Sequence, residues 1–135
     1  MLKEFISSVS IFNDLDDKTI SEIEKLVSVR DYPKGSMVIL EEEFGDIVFI
    51  VMNGTVKITR VNDEGKEVIL AMLGEYEIFG EMAIIDGEAR SANALAQENC
   101  KLLAISSEDF IKILKNNFSV SLALMREFAK RLRKS

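Results

Sequence analysis

The sequence predicts a mainly β domain flanked by helices, an eight-stranded jelly roll or barrel. Three observations carry that expectation. Between Val29 and Ile105, short apolar or alternating runs recur at regular spacing, separated by turn residues. The segments on either side, residues 1–28 and 107–135, instead carry apolar residues at helical spacing. At 135 residues, 47% hydrophobic and 30% charged, the chain has the size and composition of one soluble domain able to bury a real core.

In the first segment, Phe5, Ile6 and Val9 have helical spacing and Ile11–Leu15 reads as a turn. Asp16 is placed to N-cap a second helix, with Ile20, Ile23, Leu26 and Val27 as its apolar stripe. A helix this short needs tertiary support. The strand region (29–106) opens with Val29–Tyr32, followed by Pro33-Lys34-Gly35. Met37–Leu40 then runs into the acidic Glu41-Glu42-Glu43. Ile47–Met52 and Thr55–Val61 flank Asn53-Gly54, a hairpin signal, and Asn62-Asp63-Glu64-Gly65 leads to Glu67–Leu73. Gly74 turns the chain into Tyr76–Ile78. Ser91–Gln97 and Lys101–Ile105 form the last hairpin, around Glu98-Asn99. In the tail, Ser107 reads as an N-cap with Phe110, Ile111 and Leu114 behind it, and Asn116-Asn117 as a break. The second tail helix carries Leu122, Met125, Phe128, Ala129 and Leu132 along one face, with Lys130, Arg131, Arg133 and Lys134 near its end, where basic residues suit the helix dipole.

The stretch 79–96, FGEMAIIDGEARSANALA, is where chemistry concentrates. Gly80 opening a short helix lets backbone N–H groups approach a ligand closely, and the start of a helix favours an anion. Ten positions on, Arg90 brings a planar fork of donors suited to phosphate. Glu81 is then left as an acceptor facing hydroxyls, so the implied ligand is a phosphate beside a sugar. Taken singly, each residue has an ordinary structural reading: a turn glycine, a helix-start charge, a surface ion pair. The apolar Met82-Ala83-Ile84-Ile85 between them makes the segment half buried, and a charge at either end of it then needs a partner.

These residues resemble the phosphate-binding cassette of the cyclic nucleotide-binding domain, which occurs in the catabolite activator protein (Crp/Fnr) family, in the regulatory subunit of cAMP-dependent protein kinase and in cyclic-nucleotide-gated channels. Phe79, Gly80, Glu81, Met82, Ala83 and Ile84 match the first part of the pattern and Arg90, Ser91 and Ala92 the last, with Ala89 where proline is common. Tyr32-Pro33-Lys34-Gly35, Phe44-Gly45-Asp46 and Asn53-Gly54-Thr55-Val56 resemble the first half of the same domain. The Glu42-Glu43-Phe44-Gly45 turn departs from the pattern, being about a residue short and lacking the glycine after the acid.

The resemblance implies a cupin-like double-stranded β-helix, or β-roll, with the tail helices (107–135) as lid and dimerisation element. It implies a ligand, cAMP first and cGMP second, and no catalysis. Arg90 would pair with the cyclic phosphate, together with N–H groups near Gly80, Glu81, Ser91 and Ala92. Glu81 would accept from the ribose 2′-OH, and Ser91 would bond phosphate or base. Leu73, Ile78, Met82, Ala83 and Ala92 would pack around sugar and base, and Ser135 falls where a hydroxyl meets adenine. A homodimer through the C-terminal helix is also implied. The resembled transcription factors continue into a helix-turn-helix absent from these residues, and the basic run ending in mid-helix points to the sensor half of such a regulator. A stand-alone or degenerate member acting as a dimerisation module is the alternative.

Composition removes other classes. With no histidine, Ser-His-Asp and Cys-His devices and histidine metal sites are absent, which disfavours a small cupin-type enzyme. Consecutive glutamates at 41–43 cannot all face one ion. The one cysteine, Cys100, excludes an internal disulfide and reads as a small core residue. A net charge of −6 argues against nucleic-acid binding by this chain alone. No apolar run approaches the ~20 residues that span a membrane, and no signal peptide is evident, so the cytoplasm is expected.

Overall fold

In the computed structural model, residues 2–41 and 45–134 are described. They form two compact units, one of residues 27–107 and one of residues 1–26 with 108–135.

The first unit is a sandwich of two open antiparallel sheets. Its strands are β1 (Val27–Tyr32), β2 (Met37–Ile39), β3 (Ile47–Asn53), β4 (Val56–Val61), β5 (Glu67–Leu73), β6 (Ile78–Phe79), β7 (Asn93–Ala96) and β8 (Cys100–Ser106). The orders are β1-β8-β3-β6 and β2-β7-β4-β5. All eight expected strands are present, and the jelly-roll architecture is the one the sequence predicts. The facing sides bury Ile39, Phe49, Val51, Val56, Phe79, Ala94, Ala96, Leu102 and Ala104. Within that core Phe49 stacks on Phe79 at 5.3 Å and meets Tyr32 edge-on at 6.2 Å, the geometries that aromatic quadrupoles favour. Cys100 belongs to the same core, its thiol donating to Thr55 O (3.1 Å) and Glu98 O (3.2 Å). Burial pushes that thiol above its usual pKa, which suits a packing role.

The approach to the 79–96 stretch differs from the expectation in two ways. β6 is Ile78–Phe79 rather than Tyr76–Ile78, so the first residue of the 79–96 stretch is itself a strand residue, opposite Phe49. The left-handed residue ahead of it is Tyr76 (φ 74°), whereas Gly74 has no positive φ.

The second unit holds α1 (Leu2–Ser8), a 3-10 turn (Ser10–Phe12), α2 (Asp17–Glu24), most of α4 (Ser107–Asn116) and α5 (Phe118–Lys134). Asp16 does cap α2: Thr19 N–H donates to its Oδ1 at 2.8 Å. The apolar stripe is shorter than expected. Ile20 and Ile23 are buried, but α2 ends at Glu24, Leu26 is exposed and Val27 starts β1. Ser107 is the first residue of α4 rather than the residue before it. The break at Asn116-Asn117 is present, with the Asn117 side chain donating to Ile113 O at 3.0 Å. α5 has two apolar faces. Val120 and Leu124 are buried, and Ser10 Oγ donates to Glu127 Oε1 at 2.7 Å from the 3-10 turn. The stripe singled out in the sequence lies elsewhere: Met125 and Leu132 on it are 52% and 76% exposed. Among the described residues no helix is long and apolar enough to cross a membrane. Glu42 and Glu43 of the acidic run, with Phe44, lie outside the described residues, as does Ser135.

Candidate functional site: Arg90 at the start of the cassette helix

β6 delivers the chain to Gly80, whose φ of 89° turns it sharply into α3 (Glu81–Asp86). Only glycine takes that conformation at no steric cost, and space excludes a side chain as well. A Cβ on Gly80 would lie 2.8 Å from Arg90 Nη1 and 3.2 Å from Ile47 O. The helix makes under two turns and stops at Gly87, also left-handed (φ 74°), whose N–H returns to Ala83 O. Glu88 N–H then donates to Asp86 Oδ1 at 2.9 Å, closing the Asp-Gly turn. That reversal carries residue 90 back to the beginning of the helix.

Arg90 is 8% exposed. Its Nη1 donates to Gly80 O at 2.6 Å and its Nη2 to Ile47 O at 2.8 Å. One guanidinium thus ties the end of β6, the start of β3 and the return of the cassette. A buried cation needs hydrogen-bonded partners, and two main-chain carbonyls supply them. Glu81, the first residue of α3, is 3% exposed, where the helix dipole favours a carboxylate. A buried cation and a buried carboxylate therefore flank the opening of one short helix.

The remaining candidates divide. Ala83, Ala92 and Leu73 are half-buried, and Leu73 packs against the sandwich core. Ser91 is exposed, directly beside the buried Arg90. Met82 is 53% exposed. Ile78 is buried opposite Ile50, on the other face of β6 from Phe79, so it does not join Leu73 in the sandwich interior. Gly45 and the Ile47 carbonyl were not singled out as site groups. The sequence marks Glu42-Glu43-Phe44-Gly45 as a turn, but a carbonyl that holds a guanidinium leaves no side-chain signature.

Comparison with known proteins gives the family. The cyclic nucleotide-binding domain profile matches residues 29–117, most of the chain. The cyclic AMP receptor protein of Thermus thermophilus is 36% identical over 106 residues, covering 78% of this chain and 49% of that protein. Human cGMP-dependent protein kinase 2 is 36% identical over 111 residues, 80% of this chain and 14% of the kinase. The crystal structure of the Thermus thermophilus catabolite activator protein superposes with a TM-score of 0.84 at 32% identity, over 93% of this chain and 59% of that one. The chain spans about half the length of the receptor protein it matches. It belongs to the family of cyclic nucleotide-binding domains.

Proposed function

We propose that the chain is a non-catalytic cAMP sensor, the effector domain of a Crp/Fnr-type transcriptional regulator, dimerising through α5. The observation that carries this reading is the seat of Arg90: a buried guanidinium bonded to Gly80 O, at the mouth of a helix whose first N–H groups have no partner inside the helix. A cyclic phosphate placed there meets a cation and main-chain donors together. Arg90 holds the phosphate, with N–H groups near Gly80, Glu81, Ser91 and Ala92. Glu81 accepts from the ribose 2′-OH and so selects against 2′-deoxy nucleotides, since a buried acceptor left unpaired is penalised. Ser91 bonds phosphate or base, and Leu73, Ala83 and Ala92 border the sugar. cAMP stands first because the Thermus relative is a cyclic AMP receptor; the kinase relative keeps cGMP as the alternative.

Output runs through α5. A ligand shifts a helix only by binding one arrangement of it better than another. The seam for pairing is the stripe Phe118, Leu122, Met125, Ala129 and Leu132, exposed except at the half-buried Leu122 and spaced four and three residues apart as in a coiled coil. DNA contact then belongs to a helix-turn-helix outside these residues, and this chain alone binds no nucleic acid.

Calorimetric titration with cAMP and cGMP tests the reading. Binding by the unaltered chain should weaken by ~2–5 kcal/mol in Arg90→Leu, the range for removing one partner of a buried charge pair. Near-normal affinity in that variant would remove Arg90 from the phosphate. No heat and no thermal shift with either nucleotide would leave the dimerisation module as the function.

A further inference from the structure

Gly45 lies in the connection between β2 and β3, and it is not among the glycines with positive φ. Its backbone conformation is therefore open to any residue. The space around it is not. A Cβ on Gly45 would lie 2.4 Å from Arg90 Cζ, 2.6 Å from Nε and 2.7 Å from Nη2, against about 3.5–4 Å for an ordinary contact between heavy atoms. The guanidinium rests on the bare Cα of Gly45, and in that same pose reaches Gly80 O and Ile47 O. The space a side chain would take at position 45 is thus filled by the arginine.

We propose that Gly45 is a positioning residue for the anion site: its missing side chain forms the floor on which the Arg90 guanidinium lies flat, fixing the plane and height at which that cation meets the ligand. This rests on the cyclic nucleotide reading above. A guanidinium recognises phosphate through a rigid fork, so its plane matters as much as its charge. With a methyl group on the floor, the flexible end of Arg90 must lift. Both carbonyl bonds stretch or break, and binding has to re-order a side chain that was ordered beforehand. Gly45 differs here from Gly80, where a positive φ and the Ile47 carbonyl would penalise a side chain even without Arg90.

The test is a double-mutant cycle in the full chain: Gly45→Ala, Arg90→Leu and both together, each followed by thermal unfolding without ligand and by calorimetric titration with cAMP. Gly45→Ala should weaken cAMP binding by about tenfold, the size of one disturbed charge-assisted contact, and should lower Tm. In the Arg90→Leu background the same change should shift neither Tm nor the residual affinity further, because no guanidinium is left to displace. An equal fall in Tm in both backgrounds would make Gly45 a requirement of the loop alone and overturn the proposal. So would undiminished affinity in Gly45→Ala. If the unaltered chain binds neither cAMP nor cGMP, the sensor reading fails separately, and the Tm cycle still decides whether Gly45 seats Arg90.

Discussion

Tyr76 carries backbone strain that the fold tolerates. Its φ of 74° makes it the one non-glycine residue in the left-handed region among the described residues, a conformation that costs an L-residue ~1–2 kcal/mol. The position is held by two main-chain bonds to β3: Tyr76 N–H to Val51 O at 2.8 Å, and Val51 N–H to Glu77 O at 3.0 Å. These set the register in which Ile78, Phe79 and Gly80 follow, so the strain lies just upstream of the Arg90 seat. The sequence could not show this. Gly74 advertised the turn, while Tyr76 reads as a strand residue, because a left-handed requirement placed on a tyrosine has no residue-type signal. Tyr76→Gly should therefore raise stability by about 1 kcal/mol, the relief of strain less the extra freedom glycine has when unfolded. A higher urea midpoint at unchanged slope is the expected result. A lower midpoint would mean that contacts of the half-exposed ring outweigh the backbone term.

Elements were legible where their signals are local. The 79–96 stretch could be read because a glycine, an acid and an arginine act within eleven residues, and the strands could be read because turn residues bracket them. The Ile47 partner of Arg90 could not, since it lies 43 residues away and contributes only a carbonyl. α5 shows another limit: with two apolar faces on one helix, spacing alone does not say which is buried, and the better heptad proved to be the exposed one. α2 was legible down to its cap, and its cap makes a prediction about pH. Hydrogen bonds from Thr19, through its side chain and its N–H, hold the Asp16 carboxyl below its ordinary 3.8. A depressed folded-state pKa stabilises the fold above the unfolded value, and that contribution is lost as pH falls through the folded one. Thermal melts of the unaltered chain should thus lose ground against Asp16→Asn as the pH falls below about 4, because asparagine can cap the helix without titrating. Parallel Tm-against-pH curves for the two proteins would show that the cap's charge has no part in acid stability.

At the scale of the whole molecule, charge is as segregated as structure. The chain carries a net −6, yet α5 holds Arg126, Lys130, Arg131, Arg133 and Lys134 against the single acid Glu127. The stripe proposed for pairing on the same helix is exposed at both ends, with Phe118 at 72% and Leu132 at 76%. If two copies pair along it in parallel, their basic ends meet. In an antiparallel pair, each basic end lies beside the uncharged Phe118 end of its partner. Repulsion between exposed charges is screened over about 10 Å at 0.1 M salt and about 3 Å at 1 M, whereas burial of the apolar seam does not weaken with salt. The dimer constant of a parallel pair should accordingly tighten severalfold as sodium chloride rises from about 0.05 M to 0.5 M, while that of an antiparallel pair should stay nearly flat. Sedimentation equilibrium across that range reads both the existence of the dimer and its orientation. Met125→Glu, at the centre of the stripe and half exposed in the single chain, should abolish the dimer at every salt concentration without loss of helical circular dichroism. A Met125→Glu chain that still dimerised would place the contact on another surface, and α5 would then have no pairing role through which ligand binding could act.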